Sequence, residues 1–426
     1  MKNYKKVYAA FILAGGLILH GCNGIFDDLA INPNQPSMGA YFTSPSAVND
    51  AVMTMYGYMS TQRCLGASGS KTTIIRSDEA SSNSDYGKPG MFGADLNASY
   101  YTIEQPYTLM YTTASQASYI IETAPSVDFS GNEELRNAYM GEAYFWRAFA
   151  HYYLLINFRN ISPIRQMPRN GDDYVRPLEK PAAVWDFIQE DLAHAKELLP
   201  VKGYWDSKNA GRVTKASAAA LLGKAYLYRS GIEQYYGEDK TTFYSEAAKE
   251  FGDVIDGKYG TYDLTKNYAD NFDVAHENNE ESILEFQFLG DVDNAGFNPG
   301  LATSGLAFDS RGLMLPGAGV GYEGVVHNWL YNAFVNSVDK DGYTDIRMFS
   351  TMIFNDLDAS IHLRNDAGGN PVRLEGPGGY KWEELYPAKN GKEGFATVSN
   401  PLAHSFKAGI RKGIDCSMPT QTEADG

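Results

Sequence analysis

Cysteine is scarce in this chain: three residues in 426, at Cys22, Cys64 and Cys416. Thiols so few and so far apart, none of them in a C-x-x-C pair, exclude a disulfide framework. One Cys64–Cys416 bridge is all the spacing leaves open, and we read both as unpaired. Long hydrophobic runs are also lacking. No run approaches the ~18–20 apolar residues that a membrane-spanning helix needs. Positive charge is short: 36 Lys and Arg stand against 52 Asp and Glu, a formal charge of −16. That balance argues against nucleic acid as a partner, because phosphate binding needs basic patches.

Catalytic motifs are missing as well. His276-Glu277 has no second histidine for H-E-x-x-H, and the stretch from Gly66 to Ser70 fails G-x-S-x-G at its last position. The glycine run from Gly317 places Tyr322 where a dinucleotide loop needs glycine. Acid pairs such as Asp78-Glu79 and Glu280-Glu281 have the composition of a glycosidase site, but a chain with 52 acids contains such pairs by chance. The expectation is a protein that is not an enzyme and carries no cofactor.

The N-terminus is rich in signal. Lys2, Lys5 and Lys6 precede an apolar run over 7–19, 13 residues long, which suits a signal-peptide core. The run ends Leu19-His20-Gly21-Cys22, a small residue directly before cysteine, which looks like a lipobox despite His20. Cys22 is expected to become the acylated N-terminus, with several acyl chains anchoring where one would bind only marginally. An ordinary secretory signal cut nearby is the alternative.

Residues 1–21 are therefore read as a lipoprotein signal peptide and 22–45 as an extended tether rich in Asn, Pro and Gly. A helical region is expected over 46–260, interrupted by an inserted loop over 77–107. Ser46 offers an N-cap for its first helix. "GEAYFWRAFAHYYLLINF" is apolar nearly all round and should lie between neighbouring helices. On "PAAVWDFIQEDLAHAKELLP", Val184, Ile188, Leu192, Ala195 and Leu199 form one stripe, with Pro181 and Pro200 marking its ends. Thr214 is a candidate cap for the next helix, and "YSEAAKEFGDVIDGKYG" reads as a fourth. Leu222, Gly223 and Tyr226 followed by Ala247 and Phe251 match the two halves of a tetratricopeptide pattern, and Gly141 with Tyr144 repeats its core one pair earlier. The fold class is mostly α, with irregular tetratricopeptide-like repeats, long loop-rich insertions and a few short strands. A generic bundle with chance matches is the bland alternative.

Residues 261–426 are rich in Gly, Asn, Asp and aromatics and read as a loop-rich ligand side, incomplete at its C-terminus because no capping helix closes the array. "ESILEFQF" is expected to be a strand and "EGVVHNWLYNAFVNS" a short helix. Thirty tyrosines and 21 phenylalanines need a use. On the apolar helices they are core. In the loops, Tyr86, Phe92, Tyr100, Tyr101, Tyr322 and Trp329 stand among short polar residues such as Asp85 and Asn97. That mixture suits a sugar, whose apolar face stacks on a ring while its hydroxyls bond to Asn and Asp. For any one ring, folding back onto the helices is the simpler reading; for the set, a few should be exposed. Asp339, Asp341 and Asp345 have the spacing of the start of a calcium loop, but position twelve is Ser350 instead of Glu, so a solvated turn is preferred.

The chain resembles the SusD/RagB family of Bacteroidetes outer-membrane lipoproteins. "GEAYFWRAFAHYYLLINF" is similar to the family's G-E-A-x-F-x-R-A-F helix, and "VTKASAAALLGKAYLYRS" to its V-T-K-x-A-A-x-A-L-L-G-K-x-Y-L-Y helix. "YTTASQASYIIETAP" is similar to the helix before them. The resemblance implies a lipid-anchored protein exposed at the cell surface. It would bind oligosaccharide or another nutrient and pass it to a SusC-like TonB-dependent transporter. It also implies a longer chain, with further helices completing the last repeat. No binding residue carries over by motif, because the family's ligand loops vary. A tetratricopeptide lipoprotein scaffold that binds only proteins, or a surface glycosidase, remains the alternative.

Overall fold

The computed structural model describes residues 42–61, 63–66, 77, 80–81, 98–167, 175–237, 239–272, 276–287, 325–345, 347–348, 352–353 and 409–410. Among the described residues, six helices form an array: α1 (Pro45–Ser60), α2 (Tyr101–Thr123), α3 (Glu133–Phe158), α4 (Pro181–Leu198), α5 (Lys215–Tyr236) and α6 (Tyr244–Ile255). Each packs against the next, and α3 also touches α1 and α5. A seventh helix, α7 (Asn328–Asn336), stands later in the chain.

Local signals set the ends. α1 starts two residues earlier than Ser46 would place it. Ser44 is the N-cap and accepts a hydrogen bond from the Ala47 N–H at 3.3 Å, and Pro45 supplies a first position already held at helical φ. Asn132 caps α3 through the Leu135 N–H at 3.1 Å, with Glu133 and Glu134 in the first turn where the helix dipole favours them. At α5, the Thr214 N–H donates to Ser217 Oγ at 3.1 Å, half of a capping box, and Gly237 at φ +71° ends the helix. The loop expected over 77–107 stops short, because α2 already begins at Tyr101.

The core lies along α3. Trp146, Phe145, Leu154 and Leu155 are fully buried there, and they meet Val184, Trp185, Ile188 and Leu192 of α4. The repeat glycines sit where helices close up. A Cβ on Gly223 would stand 2.8 Å from the Phe251 ring of α6, and one on Gly141 would stand 2.9 Å from the Leu199 backbone after α4. The small residue makes room, and the partner's side chain fills it, as the tetratricopeptide spacing implies.

"ESILEFQF" is not a strand. Residues 281–287 run as an irregular cover over the helices. The Phe286 ring stacks on Trp146 at 5.8 Å, and Ile283 packs with Ala216, Ala219 and Val254. The Ile283 carbonyl accepts from Ser217 Oγ at 2.9 Å. Its alternating apolar residues satisfy helices beneath rather than a neighbouring strand. Gly211, at φ +78°, admits this cover: a Cβ there would collide with the Glu285 carbonyl at 2.3 Å.

Among the described residues, strands occur as pairs of residues. β1 (Ala80–Ser81), β2 (Val325–Val326), β3 (Met352–Ile353) and β4 (Gly409–Ile410) form one antiparallel sheet in the order β1-β2-β4-β3.

Candidate functional site

The sheet determines which candidate stretches meet. Ala80 pairs with Val326 and Ser81 with Val325, so β1 and β2 lie one strand spacing apart, about 4.8 Å. Because the pair is antiparallel, the chain leaves Ser81 at the end where it enters Val325. It leaves Val326 at the opposite end, through His327 into α7 and Trp329. On α7, Tyr331 is buried while Trp329 keeps 48% of its surface in solvent. Trp329 is the sequence-derived candidate whose ring the structure leaves about half exposed.

The other candidates separate into groups. Cys22, Asp85, Tyr86, Phe92, Asn97 and Tyr322 lie outside the described residues. Tyr100 and Tyr101 are not loop residues. Tyr100 is the half-buried N-cap of α2, its carbonyl accepting from Ile103 N–H at 2.8 Å and Glu104 N–H at 2.9 Å, and Tyr101 is the first helical residue. Asp339 and Asp345 are committed to the turn after α7. Asp339 Oδ1 accepts from the Asp341 N–H at 2.8 Å and the Tyr343 N–H at 3.1 Å. Asp345 pairs with Arg347 at 2.5 Å, and those bonds hold its carboxyl below the usual range. Among the described residues, no group of three or more His, Cys, Asp or Glu is placed to hold a metal ion.

The array holds polar residues that the apolar pattern did not reveal. Glu142 of α3 is fully buried and forms a two-pronged pair with Arg212, at 2.5 and 2.9 Å. Tyr56 of α1 donates its hydroxyl to the same carboxylate at 2.7 Å and accepts the Val213 N–H at 2.8 Å. Burial raises the Glu142 carboxyl, offset in part by Arg212. Arg147 repeats the arrangement with Asp191 of α4, at 2.7 and 2.8 Å, and also donates to Ser118 Oγ and the Arg165 carbonyl. Glu233 of α5 takes both arms of Arg159 and the Trp185 indole N–H. His151 is buried between the Arg147 carbonyl at Nδ1 and the Ile164 N–H, which donates to Nε2 at 2.9 Å. Since Nε2 accepts, the ring is neutral with its proton on Nδ1, and burial pulls it down to about 3. One signal did mark these residues: charged side chains inside an otherwise apolar helix must find partners when the helix is buried.

These carboxylates are neutralised in place by guanidinium groups, so the array offers structural ties rather than a free acid–base pair. Burial likewise pushes the Cys64 thiol up to about 12, away from nucleophilic use. Among the described residues, no helix is long and apolar enough to cross a membrane.

Residues 30–227 match the SusD-like family model described as starch-binding and associating with the outer membrane. A SusD-like protein of Bacteroides ovatus is 26% identical over 293 residues, 68% of this chain and 51% of that protein. The chain spans about half the length of the curated relatives it matches. Among solved structures, a SusD superfamily protein from Bacteroides vulgatus superposes with a TM-score of 0.62 at 20% identity, covering 87% of this chain and 68% of the other. A laminarin-binding SusD-like protein superposes at 0.58 and 22% identity, covering 74% and 67%. Match, relative and fold point the same way: the helical array of this chain is similar to that of SusD-like proteins.

Proposed function

We propose that this protein is a cell-surface lipoprotein that binds oligosaccharide without cleaving it and delivers it to a SusC-like TonB-dependent transporter. The observation that carries the reading is the family match over 30–227, whose description names both starch binding and the outer membrane. The fold shared with a laminarin-binding relative supports a glycan as the ligand class. In this reading the helical array is the frame, and the ligand is met on the loop side, with Trp329 as a stacking ring beside the β1–β2 pair. Cys22 would hold the protein to the outer membrane through its lipid.

A native affinity gel tests the reading, with starch, laminarin and xyloglucan cast in separate lanes. Retarded migration without released sugar is expected in at least one lane. Released product would make the protein a glycosidase. Free migration in every lane, with a protein partner co-purifying, would make it a scaffold. Cys22→Ser should leave the chain unacylated and in the soluble fraction; a variant that still takes up a fatty-acid label and pellets with envelopes contradicts the anchor.

A further inference from the structure

The outer face of α5 carries a row of partly exposed residues at the edge of the core. Lys224, Tyr228, Gly231 and Tyr235 follow one another at steps of four, three and four residues, which places them on one stripe of the helix. Tyr228 is 43% exposed and Tyr235 83%. Two turns separate them, about 10 Å at the helical rise per residue. Gly231 lies midway, and no atom stands within 4 Å of where its Cβ would be, so the space between the rings is open.

The rings are held by their neighbours. Tyr228 lies edge-on to Tyr152 at 5.8 Å. Tyr235 lies edge-on to Tyr236 at 5.1 Å, and Tyr236 rests on the Arg159 guanidinium at 4.2 Å, which Glu233 clamps from below. The Lys224 ammonium stands 5.7 Å from the Tyr228 ring and 6.0 Å from Tyr152, and it makes no ion pair among the described residues.

We propose that this stripe binds an acidic oligosaccharide. Two pyranose faces would lie on Tyr228 and Tyr235, the chain between them crossing Gly231, with a uronate carboxylate at Lys224. Three features favour this occupant. Two helical turns, about 10 Å along the axis, are within the reach of a short run of sugar units. Flat exposed rings suit the apolar face of a pyranose, which brings its own hydroxyls to water. Lys224 supplies the one charge complement on the stripe, and a neutral glycan would leave it unused. A protein partner needs about 800 Å² on each side, wider than a single helix stripe presents. The inference rests on the proposed glycan-binding role for its class of ligand, but the site is separate from Trp329.

Calorimetric titration of the full chain with hexagalacturonate tests it. A Tyr228→Ala, Tyr235→Ala double variant and Lys224→Glu should each lower affinity at least tenfold, while Lys224→Arg keeps it. Melting temperatures should not move, because all three side chains are exposed, and Trp329→Ala should bind hexagalacturonate as the unaltered chain does. Absence of hexagalacturonate binding, or unchanged affinity in the stripe variants, overturns the proposal. So does a polyglutamate peptide that binds equally well, since the surface would then read charge rather than sugar. Loss of neutral-glycan retention on the gel with hexagalacturonate binding intact would break the proposed loop-side function and leave this site standing.

Discussion

The helical array and the sheet beside α7 are built by opposite means. In the array, each helix packs on its sequence neighbour, and its buried charges find partners on adjacent elements: Glu142 with Arg212, Arg147 with Asp191, Arg159 with Glu233. The sheet instead joins four two-residue strands drawn from positions 80, 325, 352 and 409. The array's order is local and dense, whereas the sheet's order is long-range. The difference sets an expectation: the array should resist substitution, and the sheet side, where the ligand is proposed to be met, should tolerate it.

Substitutions should sharpen that contrast, strongest first. Arg212→Met leaves the Glu142 carboxylate buried without its cation and should cost about 3–5 kcal/mol in urea unfolding. A cost below 1 kcal/mol would mean that the pair is not a tie. Acid should weaken the array next. His151 sits at about 3 when folded, below its ordinary 6.5, so the unfolded chain takes up that proton first. Its contribution is whole above pH 6.5 and is lost as pH falls toward 3, by up to about 1.4 kcal/mol per pH unit. Glu142 and Asp191, both raised by burial, act in the opposite sense, so the informative quantity is the difference in pH slope between the unaltered chain and His151→Gln. A flatter slope in His151→Gln is expected, and parallel slopes would refute the assignment. Gly223→Val drives a side chain into Phe251 and should cost about 1–3 kcal/mol by thermal unfolding. Ser217→Ala removes both the cap at Thr214 and the bond to Ile283 and should cost about 1 kcal/mol. Trp329→Ala, on the other side of the comparison, should change stability by no more than about 0.5 kcal/mol.

The same contrast explains what the sequence disclosed. Helices α3 to α6 were legible because caps, prolines and apolar spacing act within a turn or two. Gly223 and Phe251 revealed a helix contact because the repeat spacing carries it. "ESILEFQF" misled, since alternating apolar residues serve a cover over helices as well as a strand. Tyr100 and Tyr101 misled because polar neighbours hid a helix that starts without a side-chain cap. The pairing of Ser81 with Val325 had no signal within either segment, as two residues are too few to show alternation. Trp329 stood out as a large ring among Asn residues, and the structure leaves that ring about half exposed.

The central claim is that the array frames a ligand surface on the sheet side. Amide hydrogen exchange, with and without the neutral glycan that the affinity gel retains, addresses it directly. Slowed exchange is expected at Ala80, Ser81 and from Val325 to Asn336, with α3 to α5 unchanged. Slowed exchange confined to α3–α5, or none at all with glycan bound, would contradict the claim.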